Sequence, residues 1–167
     1  YVFDFSLQQL QIVPLKDVTD VSIAYQLILS SNSKRAAFVG VEGNQNRIYV
    51  SDDTFTDVRL LSSGTRDFQP EISPDGNTVV FMRSANYFSA LFTIDIATGI
   101  ERPLTEYTND LEADWSPDGK RIVFTTSRDG FQELYTMAAD GSDLQRLTNN
   151  ERQNDLRAQY SPDGRWI

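Results

Sequence analysis

The tetrapeptide Ser-Pro-Asp-Gly occurs three times in this chain of 167 residues, at a nearly constant spacing. The copies occupy Ser73–Gly76, Ser116–Gly119 and Ser161–Gly164, so they lie 43 and then 45 residues apart. Aromatic residues keep the 43-residue spacing at two further positions, namely Phe38, Phe81 and Phe124 at the first and Tyr49, Phe92 and Tyr135 at the second. A fixed spacing of this length indicates tandem copies of one structural unit.

One unit contains four short segments that are typical of β-strands. Residues 113–148 alternate stretches rich in β-branched and aromatic residues with clusters of Gly, Asp and Ser, which predicts four antiparallel strands joined by turns. In the Ser-Pro-Asp-Gly turn, Pro fixes φ and Gly adopts the left-handed conformation, so each copy predicts a hairpin. Four strands in about 40–45 residues is the period of a β-propeller blade. The residues before each turn, Leu29, Ile72, Trp115 and Tyr160, are expected in the core between blades.

The third unit resembles the repeat of TolB-like β-propellers. The resemblance rests on Trp115–Phe124 (WSPDGKRIVF), Ser127–Gly130 (SRDG), Leu134–Met137 (LYTM), Asp140–Gly141 and Arg146–Thr148 (RLT). The same repeat occurs in the propellers of prolyl-oligopeptidase-like and tricorn-like proteins. The resemblance implies an all-β propeller of four-stranded blades. It also implies, for the TolB-like members, six blades and a role as periplasmic scaffolds that bind other proteins.

The whole chain, 1–167, is expected to form a single β-propeller domain or a fragment of one. We expect about three complete blades with partial blades at both ends, as part of a propeller of six or more blades. The expected divisions are the end of a preceding blade at 1–24, blades at 25–67, 68–110 and 111–155, and the start of a further blade at 156–167. An alternative closes a four-bladed ring by pairing the strands at the two ends. Unpaired strands at cut edges would also permit self-association.

The chain contains neither His nor Cys, which removes most catalytic and metal-binding arrangements. A Ser-His-Asp triad, a Cys-His pair, a zinc finger and an iron–sulfur site each require one of these residues. The Asp-Gly pairs do not follow the spacing of a calcium loop, and no pair of carboxylates stands apart from the repeat. We therefore predict no catalytic residue, no metal and no cofactor.

The charge balance of the chain bears on its partners. Its 24 acidic residues exceed its 15 basic residues, giving a net charge of −9, whereas binding to nucleic acid requires a surplus of Lys and Arg. No apolar run approaches the roughly 18 residues of a transmembrane helix. We therefore predict a protein or peptide partner, no nucleic acid and no transmembrane segment.

Two sets of residues are candidates for partner binding. Asp67, Asp110 and Asp155 recur just before the first strand of each unit. They predict either a ring of carboxylates near a central channel or acceptors for backbone N–H groups between blades.

Phe88 and Phe131 share one position in the hairpin between the second and third strands of a unit, and Tyr87 precedes Phe88. The three aromatic residues predict either an exposed patch that anchors a protein partner or packing against a neighbouring blade.

The first functional hypothesis is a non-enzymatic, TolB-like scaffold outside the cytoplasm that presents its inter-blade loops to protein partners. An alternative makes the chain the propeller of a prolyl-oligopeptidase-like serine peptidase, whose catalytic domain would carry a G-x-S-x-G motif. A third hypothesis is a module that binds carbohydrate or the cell envelope, which channel-facing aromatic residues would favour.

Overall fold

The computed structural model describes residues 2–4, 9–11, 23–30, 35–150 and 152–167, which form one two-stranded and three four-stranded antiparallel sheets. The two-stranded sheet pairs β1 (Val2–Asp4) with β2 (Gln9–Gln11). The first four-stranded sheet contains β3 (Ile23–Leu29), β4 (Arg35–Glu42), β5 (Gln45–Asp52) and β6 (Arg59–Leu60). The second contains β7 (Asp67–Ile72), β8 (Thr78–Ala85), β9 (Phe88–Asp95) and β10 (Glu101–Pro103). The third contains β11 (Asp110–Trp115), β12 (Arg121–Thr126), β13 (Glu133–Ala138) and β14 (Gln145–Arg146).

Within each four-stranded sheet, strands that are neighbours in the chain are also neighbours in the sheet. The described residues contain strands and turns but no helix. Accordingly, none of these segments forms a helix long and apolar enough to cross a membrane. The prediction of an all-β chain built from four-stranded units is confirmed.

The Ser-Pro-Asp-Gly turn joins the first strand of a sheet to the second. In the second sheet, the Ser73 N–H donates to Thr78 O and the Gly76 N–H donates to Ser73 O, both at 2.8 Å. The Ser73 hydroxyl donates to Asp75 Oδ1 at 2.6 Å and accepts the Thr78 N–H at 3.0 Å. Gly76 has a φ of +75°, a conformation that Gly adopts without the steric cost of a Cβ. The predicted hairpin at this turn is confirmed.

Buried apolar side chains fill the spaces between successive sheets. The cluster between the first and second sheets includes Val39, Ile48, Phe81 and Ile94. The cluster between the second and third sheets includes Val80, Leu91, Phe124 and Met137. Because successive residues of a strand point to opposite faces, Val80 and Phe81 cover the two sides of the same sheet. Each sheet therefore depends on its neighbours for its core.

The repeated aromatic residues pair across the two central strands of each sheet. The pairs are Phe38 with Tyr49, Phe81 with Phe92 and Phe124 with Tyr135, with ring centroids 5.6, 5.9 and 6.2 Å apart. These distances lie in the range of favourable ring contacts, each of which adds about 0.5–1.5 kcal/mol beyond simple burial. The 43-residue spacing thus marks a cross-strand contact that is repeated in every sheet.

The expected core position before each turn is occupied in two of the four copies. Ile72 and Trp115 are buried and pack in the clusters that join their sheets to the preceding sheet. Tyr160 is half-buried, and Leu29 is 42% exposed. The prediction is confirmed for Ile72 and Trp115 and wrong for Leu29. A side chain at this position is buried by contact with the preceding sheet. Before β3 the described residues contain only the β1–β2 pair.

Residues 152–167 lie against the third sheet and carry the third Ser-Pro-Asp-Gly turn. The Ser161 N–H donates to Trp166 O at 2.9 Å, which is the bond that closes this turn in the other copies. The Tyr160 N–H donates to Asp114 Oδ2 at 2.8 Å, and the Tyr160 hydroxyl lies 3.2 Å from Thr136 Oγ1. This segment therefore covers the side of the third sheet that faces away from the second.

Candidate functional site

Asp67 and Asp110 each open the first strand of a sheet, and each is fully buried in an ion pair. Asp67 accepts hydrogen bonds from Arg83 Nε at 2.7 Å and Nη2 at 2.9 Å. Asp110 accepts two bonds from Arg128 Nη2, at 3.1 and 3.2 Å. Asp110 also accepts a bond from the Thr108 hydroxyl at 3.0 Å. Both carboxylates are therefore paired with a guanidinium group next to their own strands. Direct contact of Asp67 or Asp110 with a partner stays a prediction.

The Asp67–Arg83 pair is enclosed on several sides. Arg83 Nη1 also donates to Glu101 Oε2 at 2.8 Å, and its guanidinium lies 4.6 Å from the centroid of the Phe92 ring. A Cβ atom at Gly64 would lie 2.4 Å from Arg83 Nε and 2.5 Å from Asp67 Oδ1. Burial raises the pKa of Glu101, but the bonds from Arg83 and from a backbone N–H outweigh it and lower that pKa. This cluster therefore fixes the end of β8 against the start of β7.

Tyr87, Phe88 and Phe131 are exposed aromatic side chains. Their exposed fractions are 98%, 51% and 49%. Tyr87 and Asn86 form the two-residue turn between β8 and β9, with positive φ values of +74° and +48°. Positive φ is costly for a residue with a Cβ and rare for a bulky one. The equivalent turn of the first sheet has Gly43 at a φ of +58°. Of the two sequence-based alternatives, the exposed patch agrees with this placement.

The candidate residues of the second and third sheets lie at one edge of the sheets. β7 and β8 are antiparallel and place Asp67 opposite Arg83, close to the β8–β9 turn that carries Tyr87. The Ser89 hydroxyl donates to Asp110 O at 2.8 Å, which joins the start of β9 to the start of β11. We call this edge the loop face. The opposite edge, which carries the Ser-Pro-Asp-Gly turns, is the turn face.

Asp155 also lies at the loop face, beside the loop that carries Phe131. The Asp155 N–H donates to Gln132 O at 2.8 Å, and the Gln132 N–H donates to Asn154 Oδ1 at 3.0 Å. Unlike Asp67 and Asp110, Asp155 is only half-buried. The structure therefore brings Phe131 and Asp155 together. The part of Asp155 in partner binding stays a prediction.

A ladder of hydrogen bonds joins the first strands of successive sheets. Gln26, Gln69, Glu112 and Arg157 have positive φ values of +52°, +51°, +56° and +57°. The first three lie at register shifts in β3, β7 and β11. Gln26 Oε1 accepts the Gln69 N–H and Gln69 Oε1 accepts the Glu112 N–H, both at 2.9 Å. Glu112 Oε2 accepts the Arg157 N–H at 3.0 Å. These bonds hold the first strands of successive sheets side by side, and we call these first strands the inner strands.

The ladder lines a groove of about 320 Å³ that runs across the inner strands. Glu71 and Asp114 both line this groove. Burial and the nearby charge of Asp114 raise the pKa of Glu71 to about 7. Burial also raises the pKa of Asp114. Within the described part of the chain, no three Asp or Glu side chains are arranged to hold a metal ion.

The sequence reasoning missed the arginine partners and the ladder. The ladder had a sequence signal, because Gln26, Gln69 and Glu112 are spaced by 43 residues and each carries an acceptor oxygen on a side chain of similar length. The arginines had none, because Arg83 lies in β8 whereas Arg128 lies beyond the end of β12. The two therefore occupy different positions in the repeat.

A family comparison agrees with this architecture. Residues 14–167 match the model of the TolB beta propeller domain family. The chain belongs to this family. The predicted resemblance and the predicted propeller fold are both confirmed, and the three four-stranded sheets are blades of a TolB-type propeller.

Solved structures of two TolB proteins share this fold. TolB from Agrobacterium tumefaciens superposes with a TM-score of 0.79 at 26% identity, over 86% of this chain and 53% of that chain. TolB from Acinetobacter baumannii gives a TM-score of 0.75 at 26% identity, over 85% of this chain and 36% of that chain. The TolB-type propeller described here therefore spans about half of the first relative and about a third of the second.

Peptidase propellers are similar at lower identity. The β-propeller domain of the Trilobed protease from Pyrococcus furiosus superposes with a TM-score of 0.63 at 19% identity, over 78% of this chain and 44% of that chain. At this identity the likeness concerns the fold alone. Among curated protein sequences, none matches the chain.

Proposed function

We propose that this TolB-type propeller is a non-enzymatic scaffold that binds a protein partner through its loop face. The observation that carries the proposal is Tyr87, whose side chain is 98% exposed on a turn with a positive φ. The cost of this backbone conformation is not offset by packing, because the Tyr87 side chain contacts little of the folded chain. Such outliers concentrate at functional sites, and aromatic side chains dominate the energetics of protein interfaces.

The neighbouring ion pairs support a rigid presentation of this surface. Arg83 and Arg128 each bind a buried aspartate, which ties the ends of the second strands to the starts of the first strands. A binding loop on a rigid base loses little conformational entropy when a partner docks. Asp67 and Asp110 therefore serve the proposed site by positioning it, and the more accessible Asp155 is the aspartate that we propose to contact the partner.

The proposal includes a location outside the cytoplasm, which the similarity to TolB supports. Fractionation of cells that express the protein from its own gene tests this part. Recovery with a cytoplasmic marker would contradict it.

A photo-crosslinking amino acid at position 87 tests the binding face. We expect benzoylphenylalanine in place of Tyr87 to form a protein adduct in cells. The same substitution at Leu60, which is exposed on the edge strand β6 of the first sheet and away from both faces, is the control. With the crosslinked partner purified, we expect Tyr87→Ala to weaken its binding by about 30-fold, the loss typical of an anchor residue. Equal crosslinking at both positions, or unchanged affinity, would contradict the proposal.

The peptidase alternative makes a different prediction. A catalytic domain in the same polypeptide would contain the G-x-S-x-G motif, and the full-length protein would react with a fluorophosphonate probe. Labelling of a serine in the full-length protein would reject the non-enzymatic proposal.

The carbohydrate hypothesis depended on aromatic residues in the channel, and no aromatic residue of the described part lines the inner-strand groove.

A further inference from the structure

A groove of about 660 Å³ lies between the second and third sheets at the turn face. Its apolar lining includes Pro74, Leu104 and Trp115, and its polar lining includes Thr78 and Thr93. It is separate from the loop face, which lies at the opposite edge of the same sheets.

Between the first and second sheets, two arginines cross from one sheet to the other. Arg35 Nη1 donates to Gly76 O at 3.1 Å. Arg59 Nη2 donates to Ile96 O. Two carbonyl groups of the second sheet, at the end of its first turn and after β9, are thus each bound by a guanidinium group.

The 43-residue register places different side chains at the same positions in the groove. Thr78 replaces Arg35 there and is too short to reach across, and Arg102 corresponds to Arg59. The guanidinium of Arg102 is exposed and makes no hydrogen bond to the described residues. The corresponding carbonyl groups, those of Gly119 and Ala139, line the groove without a side-chain donor.

Carboxylates surround these free carbonyl groups. The groove lining includes Asp75, Asp95, Asp118 and Asp140, against the single cation Arg102. Hydrogen bonds within their own turns lower the pKa of all four aspartates, so they are ionised at neutral pH. The groove therefore combines unused carbonyl acceptors with a surplus of negative charge.

We propose that this groove binds an arginine side chain of a partner polypeptide, in the place that Arg35 occupies between the first and second sheets. A guanidinium carries five donors in one plane, whereas an ammonium is a point charge, and a guanidinium binds the equivalent carbonyl group, that of Gly76, between the first and second sheets. The aliphatic stem of the bound arginine would lie along the apolar lining. The site is independent of Tyr87 and does not require the proposed function of the loop face.

The peptide acetyl-Ala-Arg-Ala-amide is the probe. Trp115 lines the groove, and Trp166→Phe leaves it as the sole tryptophan reporter of binding by fluorescence. We expect the peptide to bind to this variant, and the citrulline analogue, which has the same shape without the charge, to bind at least about tenfold more weakly. Thr78→Arg should abolish binding, because the built-in guanidinium fills the site, whereas Thr78→Ser should keep it.

Three results would overturn the proposal. They are equal binding of the arginine and citrulline peptides, full binding by a folded Thr78→Arg variant, and tighter binding of free arginine amide than of the peptide. If Thr78→Arg does not fold, a double variant at two exposed aspartates of the groove, Asp118→Asn with Asp140→Asn, provides the second test. Binding must weaken in that variant for the proposal to stand. Tyr87→Ala should leave peptide binding unchanged, so failure of this site and failure of the loop face are distinguishable.

Discussion

Gly64 illustrates how one residue without a side chain permits a buried ion pair. Its position leaves room for Arg83 and Asp67, and any Cβ there would overlap both partners. Because neither partner can move without leaving a buried charge unpaired, we expect Gly64→Ala to destabilise the protein by about 3 kcal/mol. Urea unfolding monitored by fluorescence measures this loss. The neighbouring exposed Ser63→Ala should change stability by less than about 0.5 kcal/mol, and an equally small loss for Gly64→Ala would show that the pair is not rigid.

The raised pKa of Glu71 makes stability depend on pH. With a pKa of about 7 in the folded state against an ordinary value of 4.5, the folded protein holds a proton that the unfolded chain releases between these values. The stabilisation is therefore full below pH 4.5 and is lost as the pH rises through about 7. The groove is open to solvent, so we expect a loss of roughly 1–2 kcal/mol.

Glu71→Gln tests this dependence because it cannot ionise. Urea unfolding at pH 5 and pH 8 should show the loss in the parent chain and a clearly smaller one in Glu71→Gln. Glu106→Gln, at an exposed position, is the control and should behave as the parent does. Equal losses in the parent and in Glu71→Gln would assign the pH dependence to another group.

At the level of elements, the ladder ties the first strand of one sheet to the first strand of the next. Gln69→Met keeps the length of the side chain but removes the oxygen that accepts the Glu112 N–H. We expect a loss of about 1–2 kcal/mol, because a half-buried N–H loses its partner. Gln159→Met, at a residue of the same groove whose side chain makes no hydrogen bond to the described residues, is the control. Equal free energies of unfolding for the two variants would mean that the ladder adds no stability.

Turns and strand pairs were predictable because their determinants are local. Pro and Gly fix the hairpin, and the aromatic pairs join strands that the same turns bring together. The ladder joins residues 43 or 45 apart in the chain. Its bonds depend on a register shift in each inner strand, which a pattern of residue types does not reveal. Leu29 failed as a core prediction for a related reason, since burial at its position depends on the preceding sheet.

The candidate site was predictable in its position but not in its chemistry. The repeat placed Tyr87, Phe88 and Phe131 in hairpins, and the structure finds them exposed. It also placed Asp67 and Asp110 at the starts of inner strands. Their complete burial followed from Arg83 and Arg128, whose different repeat positions left no common spacing to detect.

At the scale of the whole molecule, stability is divided between the interfaces of successive sheets. Phe81 packs between the first and second sheets, and Phe124 packs between the second and third. Replacement of either by Ala should cost about 3–5 kcal/mol. Since each sheet contacts mainly its neighbours, as in other repeat proteins, hydrogen exchange should locate the two losses differently. We expect Phe81→Ala to expose β4 most and Phe124→Ala to expose β13 most. Identical exchange patterns would show that the sheets unfold as one unit.

The chemical order along the ladder is amide, amide, carboxylate and guanidinium, from Gln26 to Arg157. Each of the first three side chains accepts the next backbone N–H through an oxygen, whereas an arginine side chain in an earlier position would have no acceptor to offer. The units are therefore not interchangeable, although they share one sequence pattern. A gene rearranged so that the Arg157 segment preceded β7 would encode the same blades in a different order. The ladder could not form in that order, because the Arg157 side chain has no oxygen to accept the next backbone N–H.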